Sequence, residues 1–341
     1  MSNKLVRLLV GNVMRSRRIK KRRAAESGAA LSLNFLSGLL DSRISFTRGT
    51  NATFVGSNGL IQSSVINTPR FDYDPVTLAP KGLLIEEQRT NLFFNSLTDG
   101  TSLSTQSITV TATPYTISFY GTGSITLSGA ATATISGTGA YPTRTTLTFT
   151  PTAGTLTCTV SGSVQYANCE AGAFATSYIP TVASTATRSA DVATMTGTNF
   201  SSWFNATEGT FVSSGDVIGY SNNAMILSAT DGSTTDLIQQ FLVTSALARF
   251  VSRISNVDQA ILDKSVSLPG AYKMASAYMT DNFASTVNGD TVVTDITGGI
   301  PTVNRLGIGS RNGLLQLNGH IRSITYYNTR LPNTTLQDLT T

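Results

Sequence analysis

The chain is short of charge, of cysteine and of histidine. Only 13% of its 341 residues are Asp, Glu, Lys or Arg, against a usual share of about 25%. A surface so poor in charge must be covered by hydroxyls and amides, and long tracts of Thr, Ser and Asn supply them. Two cysteines, Cys158 and Cys169, are too few for a disulfide framework. With Ser161-Gly162 read as a hairpin tip, Cys158 faces Gln165 and Cys169 lies well past it, so two free, buried thiols are expected. A single histidine, His320, removes most His-based metal sites and acid–base pairs. No run approaches the roughly 20 apolar residues of a membrane span. Residues 5–10 are apolar but followed by bases rather than a cleavage site, so no secretory signal is expected.

What charge there is lies unevenly. Nine of the 24 bases fall in the first 23 residues: Lys4, Arg7, Arg15, Arg17, Arg18, Lys20, Lys21, Arg22 and Arg23. None of the 19 acids does, so the remainder holds 15 bases against 19 acids and is mildly acidic. Leu5, Leu9 and Val13 fall on one helical stripe of this arm. The pattern predicts a helical anchor that docks on a partner protein. Contact with nucleic acid, a membrane-surface helix and a solvated terminus are the other readings. The acidic balance of the body argues against nucleic acid as a partner.

Beyond a hinge at Ser27-Gly28 the pattern is that of strands. Asn58-Gly59 between short alternating runs marks a hairpin. Residues 103–173 are the clearest period-2 tract, with strands expected at 108–110, 115–120, 124–127, 133–135, 144–149, 155–160 and 164–166. Short strands at close, regular spacing point to a sandwich or jelly roll. The fold class is therefore all-β, as tandem β-sandwich or jelly-roll modules behind a basic helical arm. The divisions expected are 1–28 for the arm, 29–98 for a small β unit with an attachment role, 99–185 for a β-sandwich and 186–341 for a second sandwich.

The densest charge in the body lies in residues 70–91, RFDYDPVTLAPKGLLIEEQRTN. Asp72 and Asp74 flank Tyr73 at strand spacing, so both should face one way, and Asp74-Pro75 starts a turn. Leu83-Leu84-Ile85 suits one buried strand. This stretch resembles one found in many bacteriophage fibre-like and appendage proteins, where it precedes β-sandwich modules. Residues 170–192, EAGAFATSYIPTVASTATRSADV, are similar to a connector of the same proteins. From residue 194 onward the chain resembles concanavalin A-like, laminin-G-type sandwiches. The residues carrying this are Thr207-Glu208-Gly209-Thr210-Phe211-Val212, Tyr272 to Tyr278 with the Asn288-Gly289-Asp290 turn, and Leu317 to Asn328 before a short tail helix.

The resemblance implies a virion structural protein, a tail or head fibre or appendage. It would attach by its N-terminal part to capsid, tail or baseplate proteins and display lectin-like sandwiches to a host-surface glycan, commonly as a homotrimer. A polysaccharide depolymerase tailspike and a capsid decoration protein without receptor binding are the alternatives. Glycoside hydrolysis needs two carboxylates roughly 5–9.5 Å apart across a cleft. Glu208 is the only Glu beyond residue 194 and has no acid two positions away, while Asp290 and Asp295 read as turn and strand-end groups. Asp72, Asp74, Glu86 and Glu87 share their run with Arg70, Lys81 and Arg89, which points to structural ion pairs. The expectation is a protein without catalytic residues, cofactor or an identifiable metal site. Laminin-G-like sandwiches often hold Ca²⁺ through Asp and carbonyl oxygens, but no spacing here names the ligands. For a carbohydrate platform the candidates are Tyr220, Tyr278 and Tyr327, whereas Trp203 reads as core. Because side chains alternate along a strand, only one of Tyr326 and Tyr327 should face the core.

Overall fold

The computed structural model describes residues 28–96, 102–220 and 223–341. The nine bases of the arm, Lys4 to Arg23, and the helix expected for them lie outside the described residues. The regular structure of the described residues is almost entirely antiparallel strand, as the sequence pattern predicts. Its only α-helices are one turn at Thr198–Ser201 and the tail helix Asn333–Thr340.

The larger sandwich packs an eight-stranded sheet on a seven-stranded one. Its centre is the closing strand Gly319–Tyr327, bonded on one side to Glu208–Val217. Two separate strands share its other side: Pro80–Ile85 along residues 319–321 and Leu31–Asn34 along residues 323–326. Where the partner changes, the register against Glu208–Val217 shifts and Arg322 becomes the extra residue. A bulge reverses side-chain parity, so Ile321 and Ile324, three apart, both reach the core. Gly82 enables the close approach of Pro80–Ile85: its φ is +114°, and a Cβ there would stand 2.3 Å from the Ile321 carbonyl oxygen.

The smaller sandwich packs a four-stranded sheet on a three-stranded one, using the strands from Gln106–Val110 to Gln165–Ala171. Phe119, Ile117, Leu156, Cys158 and Cys169 fill it. Both cysteines are free and buried. The hairpin expected at Ser161-Gly162 does not form. Gly154–Ser161 pairs with Ser124–Gly129 and Gln106–Val110, placing Cys158 beside Leu127 and Gln106, while Gln165–Ala171 pairs in the opposite sheet. The chain crosses between sheets there, because each face of this small module must be closed by a different strand.

Of the small β unit expected at 29–98, the described residues 29–96 form no separate sheet module. Leu31–Asn34, Ser45–Thr47, Phe71–Tyr73 and Pro80–Ile85 all join the sheets of the larger sandwich. Two ribbons stand apart: the hairpin Ala52–Val55 with Ile61–Ser64, turning at Asn58-Gly59, and Arg89–Asn91 with Ala186–Arg188. Three or four short strands bury too little apolar surface to stand alone, so they complete a neighbour's edges instead.

Candidate functional site

The two stretches singled out by sequence meet between the sandwiches. Arg89–Asn91 pairs with Ala186–Arg188, and around this ribbon lies a buried ionic junction. Arg70 bonds to Glu86 at 2.8 Å and to Asp191 at 2.5 Å. Arg188 reaches Glu86 at 3.0 Å and Arg48 reaches Asp191 at 3.2 Å. All five side chains are buried. Neutral partners finish the shell: Glu86 accepts from Ser177 N and Oγ, Arg48 donates to the carbonyls of Thr50, Thr68 and Val65, and Arg188 donates to the Glu87 carbonyl. The Nε atoms of Arg70 and Arg188 have no partner, a residual cost of packing three guanidiniums together. Burial would raise the Glu86 carboxyl, but Arg188, Arg70 and Ser177 hold it well below the usual glutamate range. Burial works against the charge of Arg70 as well, and Asp191 and Glu86 outweigh it.

A second buried centre lies nearby. His320 presents Nδ1 to Asp216 at 2.7 Å and Nε2 to Asp72 at 2.9 Å. Burial alone would lower its pKa, but the bonds to both carboxylates hold it above the ordinary 6.5. Through these two bonds the ring ties the strand Phe71–Tyr73 to Glu208–Val217, and its protonated form can donate to both carboxylates. Arg322 adds a bond to Asp216 at 2.9 Å. The two carboxylates sit on opposite ring nitrogens, which is a clamp and not a chelate. Among the described residues no three His, Cys, Asp or Glu side chains gather in a metal-holding group.

Asp72 and Asp74 do not act as a pair. The register slips between Asp72 and Tyr73. Asp72 takes the histidine and Val55 N, while Asp74 caps its turn by accepting from Val76 N and Thr77 N. Arg89 pairs with Glu87 at 2.5 Å and lies over the Phe174 ring. Glu208 accepts from Arg330 N, Asp290 pairs with Lys264, and Asp295 caps a turn through Thr297 N. Asp72 shares a cleft with Glu86, but each is already bonded, Asp72 to His320 and Glu86 to Arg70 and Arg188.

The tyrosine candidates divide three ways. Tyr278 is fully buried, bonded to Tyr326 Oη and the Asn205 carbonyl, so it cannot meet a ligand. The register places it on the core face, where Trp203, Phe204, Phe211 and Tyr326 form one aromatic cluster. Tyr220 is half-buried and its hydroxyl donates to the Val243 carbonyl. Tyr327 points away from the core cluster that Tyr326 enters and borders an outer groove of about 460 Å³, but only 3% of it is exposed, so it offers no aromatic platform. Ser214, Ser323, Thr325, Lys273 and Arg322 line the same groove. Spacing alone could not have found Lys273 or Ser214, because they come to Tyr327 across strands.

A smaller cleft of about 200 Å³ lies between the sandwiches. The hairpin and the strands Phe71–Tyr73 and Pro80–Ile85 supply one wall, with Lys81 and Asp72. Tyr120 and Arg144 of the smaller sandwich supply the other.

No family model matches the chain, and no curated protein does. Among solved structures it is similar to the Ruminococcus gnavus IT-sialidase CBM40 bound to alpha2,3 sialyllactose, at 15% identity and a TM-score of 0.36, over 40% of this chain and 83% of that one. A leech intramolecular trans-sialidase complexed with 2,7-anhydro-Neu5Ac aligns at 14% identity and a TM-score of 0.34, over 40% of this chain and 23% of that one. Trypanosoma rangeli sialidase in complex with the inhibitor DANA aligns at 15% identity and a TM-score of 0.32, over 43% and 25%. Likenesses this partial assign neither an activity nor a ligand to the chain.

Proposed function

We propose that this chain is a phage virion structural protein, a fibre or appendage that holds to the particle by its N-terminal part and offers a β-sandwich to host-surface glycan. The observation that carries this reading is the use made of the acids. The carboxylates Asp72, Glu86, Asp191 and Asp216 near the two sandwiches' junction are each bonded to an arginine or to the histidine, and Glu170 accepts from Thr176 N and Oγ1. Such groups hold a shape, and none is left as an acid–base pair for glycosidic cleavage. The outer groove instead carries hydroxyls with Lys273 and Arg322 beside one tyrosine, groups suited to donating hydrogen bonds to a polyol or its acidic substituents. The resemblance of residues 70–91 and 170–192 to phage appendage proteins supports the virion setting and a homotrimeric assembly.

Purified protein should bind host cells saturably and release no oligosaccharide from their surface glycan. Lys273→Glu in the groove should weaken that binding strongly, and immunogold labelling should place the chain on intact particles. Steady release of oligosaccharide would favour the tailspike depolymerase. Labelled particles whose protein binds no cells would favour a decoration protein.

A further inference from the structure

The cleft between the sandwiches combines features that the ionic junction beside it does not need. Lys81 lines it, and among the described residues its ammonium forms no ion pair. Tyr120 lines it too, and its hydroxyl has no hydrogen-bond partner among the described residues. Arg144 is held in place by bonds from Nη1 to the Thr176 carbonyl and from Nη2 to Ser118 Oγ, both 2.7 Å. It has no carboxylate partner, its Nε is buried without a bond, and it lies 6.0 Å from the centre of the Tyr120 ring.

The acids that line the same space are already committed. Asp72 is bonded to His320 and Val55 N, and Glu86 to Arg70, Arg188 and Ser177. The free capacity of the cleft is therefore cationic and donating. Its Ile61, Val55 and Leu84 lining gives an apolar wall. At about 200 Å³ it is smaller than the roughly 300–1,000 Å³ of sites for drug-sized ligands, which limits an occupant to one ring.

We propose that this cleft binds a single carboxylate-bearing sugar ring, a hexuronate unit, with the carboxylate at Lys81 and Arg144 and a ring hydroxyl at Tyr120 Oη. The choice of a sugar rests on the glycan reading above. The preference for an acid rests on the cleft itself. Ammonium and guanidinium donors to a carboxylate form charge-assisted bonds, shorter and stronger than neutral ones. A neutral hexose would form no charge-assisted bond with either cation. Because walls from both sandwiches contribute, an occupied cleft would also brace the two modules against each other.

The test is titration of the full chain with D-glucuronate, D-galacturonate, D-glucose and acetate, followed by saturation-transfer NMR and calorimetry. A hexuronate should bind saturably and glucose should not. Lys81→Met should weaken binding by about tenfold or more, as loss of a charge-assisted bond requires. Lys81→Arg should recover most of it, and Tyr120→Phe should cost several-fold. Lys81 is unpaired, so its variants should melt as the parent does. Binding of acetate as tight as that of the uronates, equal binding by Lys81→Met, or no binding of either uronate would each overturn the proposal. Lys273→Glu separates this site from the outer groove. It should weaken cell binding strongly yet leave uronate binding intact if both readings hold. Loss of uronate binding in that variant would also overturn the cleft assignment.

Discussion

The Arg48–Arg70–Arg188 junction and the Asp72–His320–Asp216 clamp both bury ions beside the strands Phe71–Tyr73 and Pro80–Ile85, yet only one of them can change its charge near neutral pH. Guanidinium stays protonated at any pH a protein survives, so the junction is a permanent lattice of charge. Imidazole has the one side-chain pKa that a modest environment moves across neutrality. The comparison teaches that one seam of a protein can be tied by two ionic devices with different operating ranges.

The largest expected effect is at the junction. Asp191→Asn leaves Arg48 and Arg70 buried without their shared counter-charge and should cost about 3–5 kcal/mol, read from the urea midpoint. A loss below 1 kcal/mol would mean that packing, not charge, holds the seam. His320→Gln comes next. It leaves two carboxylates short of a cationic partner and should cost roughly 1–3 kcal/mol.

The pH profile sharpens the contrast. His320 is raised above 6.5 in the fold, so its contribution is complete below about pH 6.5 and is lost as pH rises through the folded value. The parent should therefore lose stability on the alkaline side, and His320→Gln should be flat there. On the acid side the sign reverses. Burial raises Asp216, but its bond to His320 outweighs this, and Asp216 and Glu86 both lie below their ordinary values. Their contributions are present above the unfolded carboxylate range and are lost as pH falls through the folded values. An alkaline loss of equal size in His320→Gln would break the assignment to histidine.

Smaller effects test the surroundings. Burial pushes the Cys158 thiol up to about 12 and holds Cys169 well above its usual range. Neither should react with a thiol reagent in native buffer, and both should react in urea. Labelling without denaturant would show that the smaller sandwich opens locally. In the outer groove Lys273→Ala removes the Nζ bond to the Thr341 carbonyl and should cost about 0.5–1.5 kcal/mol, small enough for binding to be read on folded protein.

Much of this was legible from residue order alone. The strands expected in the smaller sandwich at 108–110, 115–120, 124–127 and 133–135 lie inside the observed Gln106–Val110, Tyr115–Gly121, Ser124–Gly129 and Ala133–Ser136. Alternation is a local property, and β-branched residues report it strongly. The structural role of the 70–91 charges was legible too, because bases and acids share the run. The arginines' partners were not. Asp191 lies more than a hundred residues from both Arg70 and Arg48, and nothing local to it sets it apart from a surface acid. Tyr278 failed as a ligand platform for a related reason. Exposure of a strand tyrosine depends on which sheet face is covered, and that is decided by the partner sheet.

Residue order determined an all-β chain with hydroxyl-rich faces and a basic leading segment, since period and composition act within a few residues. Tertiary structure decided that four strands between residues 31 and 85 complete the larger sandwich, that His320 stands between two aspartates, and that Lys81, Tyr120 and Arg144 share one cleft. Each of these needs strands distant in sequence to become neighbours, and that pairing is chosen by burial over the whole molecule rather than by any one segment.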